Sequence, residues 1–99
     1  MNFYALFYDV VDDFITRRAP YREEHLRLVK KANRRGDLLM AGALGEPVGR
    51  ALLVFRASDR SVAEDFARSD PYVANGLVTR WEVHPWANVI DLEASATSR

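Results

Sequence analysis

The 99-residue chain contains no cysteine, which excludes a disulfide framework and a thiolate metal site as supports for a fold this short. That absence suits a reducing cytoplasm. An excess of charge is also missing, because fourteen Lys and Arg balance fourteen Asp and Glu. No broad field therefore steers the chain toward nucleic acid or an anionic membrane. No apolar run approaches the ~18 residues of a membrane-spanning helix. The opening Met1-Asn2-Phe3-Tyr4 lacks the basic segment and apolar stretch of a secretory signal. Gly42-Ala43-Leu44-Gly45 and Gly45-x-x-x-Gly49 are not followed by the Lys-Ser/Thr of a phosphate loop, and read as hairpin glycines. There is no G-x-S-x-G nucleophile elbow, and no H-x-x-x-H spacing joins His25 and His84. These absences predict a soluble, cytoplasmic domain over residues 1–91 with a flexible tail at 92–99. Neither metal, cofactor, nucleic acid nor membrane is expected as a partner.

What is present is apolar. Hydrophobic residues make up 48% of the chain and aromatics 11%. At this length only about 60–70% of the unfolded surface can be buried within one subunit. The surplus predicts self-association. Phe3 to Val11 is aromatic and β-branched on both alternating faces, the pattern of a strand covered on both sides. One cover is expected to be the chain's own helices and the other a second subunit.

Asp12 to Ala19 reads as a polar connection, and Pro20 is well placed near a helix start. His25, Leu28, Val29 and Ala32 then follow i, i+3, i+4, i+7 on one helix face, with Gly36 as its C-terminal stop. Leu38–Leu44 and Ala51–Phe55 form a predicted hairpin. Ser58 to Ser61 offers several caps for a second helix, including a Ser61-x-x-Glu64 box, and that helix ends before Pro71. A last strand is predicted over Leu77–His84, stopped or bent by Pro85-Trp86, with a short extension at 88–90. The order is β-α-β-β-α-β. This is an α+β, ferredoxin-like arrangement with two helices on one face of a four-stranded antiparallel sheet. Two such sheets can close face to face into a dimeric α+β barrel.

Chemistry concentrates around Asp70. It precedes Pro71, which biases it out of the helical region and puts its carboxylate at an element boundary. Capping the next turn through the Tyr72 or Val73 N–H is its ordinary role. His25, at the edge of the first helix's apolar face, is either a satisfied core-edge imidazole or a general base or acid. The second role needs an acceptor on one ring nitrogen, which Asp70 can supply. Arg22, one turn earlier, is a solvated helix-start residue or an anion clamp. Tyr72 is a packing residue that could also hydrogen-bond a ligand. Phe3, Tyr4, Phe7 and Tyr8 read as core and interface.

Arg22-Glu23-Glu24-His25-Leu26, Gly36-Asp37-Leu38-Leu39-Met40-Ala41-Gly42, Asp70-Pro71-Tyr72 with Gly76, and Val83-x-Pro85-Trp86 together resemble the YCII-related (YciI-like) family. The resemblance runs from Phe3 to about Ile90. It implies a dimeric α+β barrel, and a proposed active-site pair corresponding to His25 and Asp70, with Arg22 in the R-x-x-H position. One relative type is a dehydrochlorinase acting on a chlorinated hydroxyhydroquinone. The chain departs at Ala43, where many members carry proline, and its second hairpin loop is short; both changes touch the pocket rim.

The expectation is a cofactor-independent homodimeric enzyme of lyase or isomerase type acting on a small cyclic or aromatic substrate. His25 moves the proton, Asp70 orients it, and Arg22 and Tyr72 bind substrate. The alternative is a non-catalytic ligand-binding or accessory dimer module. A third reading, cofactor-free oxygenase chemistry, rests on fold analogy alone.

Overall fold

The computed structural model describes residues 1–90, so the tail expected at 92–99 lies outside the described residues. Four strands form one antiparallel sheet: β1 (Asn2–Val10), β2 (Leu38–Leu44), β3 (Arg50–Ala57) and β4 (Val78–Trp86). Their order is β2-β3-β1-β4, with β1 and β3 central. The principal helices are α2 (Arg22–Arg34) and α3 (Ser61–Ser69), with single-turn helices α1 (Phe14–Arg17) and α4 (Pro71–Ala74). The β-α-β-β-α-β order and ferredoxin-like topology expected from the sequence are present.

Alternation along β1 sorts its side chains by face. Tyr4, Leu6 and Tyr8 point toward the helices and are buried. They oppose Phe55, Leu53 and Ala51 on β3, and Pro85, Val83 and Trp81 on β4. Phe66 on α3 packs edge-on against Phe55 at 5.4 Å. Phe3, Ala5 and Phe7 take the other face. The register puts Leu52, Val54 and Met40 there too, with Met40 72% exposed. The subunit's own helices thus cover one face, and the second apolar face of β1 has no layer over it among the described residues.

Several boundaries differ from the expectation. The polar connection contains α1, because Phe14 is an apolar anchor, 4% exposed and packed edge-on against Tyr72. Pro20 lies in a 3₁₀ turn, Ala19–Tyr21, and the α-helix begins at Arg22. Asp59 caps α3: its carboxylate accepts from the Ser61 N–H at 2.8 Å and from the Ser61 hydroxyl. Glu64 is occupied with Arg60 instead of completing a capping box. Pro85 does not stop β4, which continues through Trp86. β4 is an edge strand, where a missing N–H is tolerated. Residues 88–90 add no strand.

Two glycines do what the local geometry requires. Gly36 (φ 87°) and Gly76 (φ 77°) each end a helical segment in the left-handed region, which a Cβ would strain. Gly76 thereby turns the chain from α4 into β4 and fixes the segment carrying Asp70. Because Phe55 is fully buried between β1 and α3, Phe55→Ala should cost about 3–5 kcal/mol in denaturant unfolding. A loss under about 1 kcal/mol would mean the core is not centred there.

Candidate functional site

Asp70 is fully buried, the one buried charged side chain among the described residues. Its backbone is extended (φ −75°, ψ 123°), as the following proline requires, and it caps α4. Three donors converge on the carboxylate. The Tyr72 N–H donates to Oδ1 at 3.0 Å, and the Tyr8 hydroxyl donates to Oδ2 at 2.7 Å. His25 Nδ1 lies 2.9 Å from Oδ1. A buried carboxylate is tolerable only with its lone pairs occupied. Capping and histidine pairing, posed as alternatives by the sequence, occur together on one oxygen.

The acceptor at Nδ1 requires that nitrogen to carry the hydrogen. In neutral imidazole the unprotonated nitrogen is then Nε2, which makes no hydrogen bond among the described residues. The ring is held flat against Tyr72, with centroids 3.9 Å apart and planes 13° off parallel. Phe14 closes on the same tyrosine edge-on at 5.3 Å. α1, α2 and α4 thus deliver one ring each to a stack that fixes the orientation of the imidazole.

His25 faces a cavity of about 320 Å³ between α1–α2 and the sheet. Arg22 and Tyr72 line it, as do Phe14 and Arg18 from the segment read as a polar connection. Leu53 forms part of the floor, and Ala41 and Ala43 line it from the exposed strand β2. Ala43, expected at the pocket rim, is therefore on the cavity wall. Among the described residues the cavity takes in no carboxylate side chain; Asp70 stands behind His25. Tyr72 is 2% exposed and its hydroxyl is buried without a hydrogen-bond partner among the described residues. His84 is elsewhere. It sits on the opposite sheet face, 2.8 Å from Glu82 and edge-on to Phe7.

The structure brings together the four candidates His25, Asp70, Arg22 and Tyr72. The sequence reading missed Tyr8, Phe14 and Arg18. Tyr8 was assigned to the core, and it is 1% exposed, but its hydroxyl is one of the three donors to Asp70. A phenol at a helix-facing position of a central strand carries a polar atom that needs a buried partner. That was the available signal.

An α+β subunit with a ferredoxin-like sheet and a His-carboxylate pair at a small cavity is the class these observations define. The chain belongs to the YCII-related family, whose domain model matches residues 1–87. Among curated proteins no match was found. Solved structures of similar fold include 5-chloro-2-hydroxyhydroquinone dehydrochlorinase (TftG) from Burkholderia phenoliruptrix AC1100, in complex with 2,5-dihydroxybenzoquinone. It has a TM-score of 0.71 and 14% identity, covering 87% of this chain and 94% of that one. An antibiotic biosynthesis monooxygenase matches at TM-score 0.57 and 14% identity, over 91% of this chain and 100% of that one. Rv0793 from Mycobacterium tuberculosis matches at 0.51 and 15%, over 91% and 96%. At these identities the likeness is one of fold.

Tyr8 carries a pH signature. Burial, then the Asp70 charge and the hydrogen bond to it, raise its pKa above the ordinary phenol value. The unfolded chain releases this proton near pH 10 and the folded chain retains it. The resulting stabilisation is complete below about pH 10 and is lost as pH rises beyond it. Denaturant unfolding from pH 8 to 11 should therefore show a shallower alkaline decline for Tyr8→Phe than for wild type. Parallel declines would contradict this account.

Proposed function

We propose that the chain is a cofactor-independent enzyme of lyase or isomerase type, acting on a small cyclic or aromatic substrate in the cavity beside His25. The observation that carries this reading is the 2.9 Å His25–Asp70 contact at a cavity wall. It commits Nδ1 to the carboxylate and leaves Nε2 as the ring nitrogen with which to accept a proton. Asp70 does not touch substrate. It fixes the tautomer and stabilises the imidazolium formed when Nε2 takes the proton.

In an elimination, Nε2 removes a proton from the substrate, the freed electron pair forms the new π bond, and the leaving group departs with its bonding pair. In an isomerisation, the same nitrogen returns the proton at a second carbon. Arg22 stabilises negative charge growing on a substrate oxygen, as its planar, permanently charged fork suits. The Tyr72 ring lines the cavity and its hydroxyl has no hydrogen-bond partner among the described residues, which supports a ligand oxygen as that partner. The dehydrochlorinase of similar fold, bound to a dihydroxybenzoquinone, supports an oxygenated six-membered ring as the substrate type. The apolar sheet face supports a homodimer as the working unit, with equilibrium sedimentation at micromolar concentration as its check.

The test is turnover of a panel of hydroxylated and chlorinated monocyclic compounds, 5-chloro-2-hydroxyhydroquinone included, followed by ultraviolet absorbance and halide release. His25→Gln should lower kcat/KM by about 10²–10⁴, the range a positioned general base supplies, while circular dichroism stays unchanged. Unchanged turnover in that variant would overturn the mechanism. The second reading, a non-catalytic ligand-binding module, is favoured by the same cavity and wins if compounds raise the melting temperature without being altered.

Tyr72→Phe separates binding from folding. Removing a buried hydroxyl that has no partner should leave stability unchanged or raise it by about 1 kcal/mol. Ligand affinity should fall. A stability loss above about 1 kcal/mol would show that the hydroxyl is already satisfied in the free protein.

A further inference from the structure

The cavity is electrically one-sided. Arg18, the C-terminal cap of α1, and Arg22, the first residue of α2, both line it and are both half-buried. Neither lies within 4 Å of a carboxylate oxygen among the described residues. Arg17, Arg27, Arg35 and Arg50, by contrast, all have acidic partners. Among the described residues no acidic side chain lines the cavity to neutralise the two cations. Asp70 is already saturated by Tyr8, His25 and the Tyr72 N–H.

The Arg18 guanidinium is also held in place. It lies 5.5 Å from the centroid of the Phe14 ring, within the range at which the aromatic quadrupole attracts a cation. Phe14 is itself fixed against Tyr72. The remaining walls are largely apolar, contributed by Leu26, Val29 and Leu53. At about 320 Å³ the space is at the lower bound of roughly 300–1,000 Å³ for small-molecule sites. That volume accommodates a single substituted ring.

We infer that Arg18 and Arg22 form a two-guanidinium clamp that selects a planar monocyclic anion, a ring bearing ionised enol, phenol or carboxyl oxygens, over the corresponding neutral ring. The inference names the substrate class of the proposed site and depends on small-molecule binding there, but not on proton transfer by His25. The ring lies against the apolar walls. Its charged oxygens meet the two forks, which match paired oxygen acceptors in geometry as well as charge. Two half-buried cations with no carboxylate partner among the described residues gain more from an anionic occupant than from a neutral one, which covers them without pairing them.

Calorimetric titration with 2,5-dihydroxybenzoquinone, ionised at neutral pH, and with neutral hydroquinone tests this without requiring turnover. The anion should bind at least tenfold tighter than the neutral ring, and its affinity should fall as sodium chloride rises from 50 to 300 mM. Arg18→Met keeps an apolar stem over Phe14 and removes the charge. It should weaken the anion at least tenfold and leave hydroquinone within twofold. Arg17→Met, which removes one charge from an exposed pair with Asp13, should leave anion affinity within twofold. Equal affinity for the two probes, equal losses in the Arg17 and Arg18 variants, or no anion binding at millimolar concentration would each overturn the clamp. Thermal unfolding of Arg18→Met within a few degrees of wild type establishes that a loss of affinity is not a loss of fold. If the clamp holds and the panel shows no turnover, only the catalytic reading fails.

Discussion

The buried carboxylate of Asp70 is the constraint on which the rest of the site depends. An ionised group with no solvent access must have its charge met by donors, or the fold carries a penalty of several kcal/mol. Here the donors come from three elements far apart in sequence: Tyr8 on β1, His25 on α2 and the Tyr72 N–H at the start of α4. Satisfying one acid therefore sets the position of the first helix over the sheet and the path of the chain after the second. The same contacts leave one nitrogen of a histidine free at a cavity. Structural and chemical demands coincide at a single residue.

The ring stack adds rigidity of a different kind. Hydrogen bonding to Asp70 fixes which way the imidazole edge faces, and stacking on Tyr72 fixes its plane. Under the proposed function, a proton acceptor held in both respects needs little reorganisation to react. The cavity complements it with positive charge from Arg18 and Arg22 and apolar walls elsewhere. A cavity lined by an imidazole, two guanidinium groups and, among the described residues, no carboxylate suits ligands that are anionic.

Much of this was legible in the sequence, for identifiable reasons. The four strands and two long helices follow from periodicity, and Asp70-Pro71 and Gly76 mark a bend whose backbone angles were as required. His25 and Asp70 could be paired because their residue types complement each other across the topology. Other features were not readable. The helix α1 is held by one buried side chain, Phe14, and one-turn helices have no periodicity to detect. Arg18 was hidden for the same reason, since its entry into the cavity depends on that turn. Tyr8 looked apolar because its strand alternates well; only the tertiary fold shows its hydroxyl against Asp70. Whether Pro85 would stop its strand was not readable, because a proline stops a central strand and not an edge one, and strand order is a tertiary property.

The central claim is that Asp70 dictates the state of the His25 ring. Nitrogen-15 chemical shifts of the His25 imidazole measure that state directly, in the folded protein at a pH where the ring is neutral. The account predicts a hydrogen on Nδ1 and an unprotonated Nε2, with Asp70→Ala, which removes the acceptor, abolishing that preference. A hydrogen resident on Nε2 in the wild-type protein would contradict it, because no lone pair would then face the cavity.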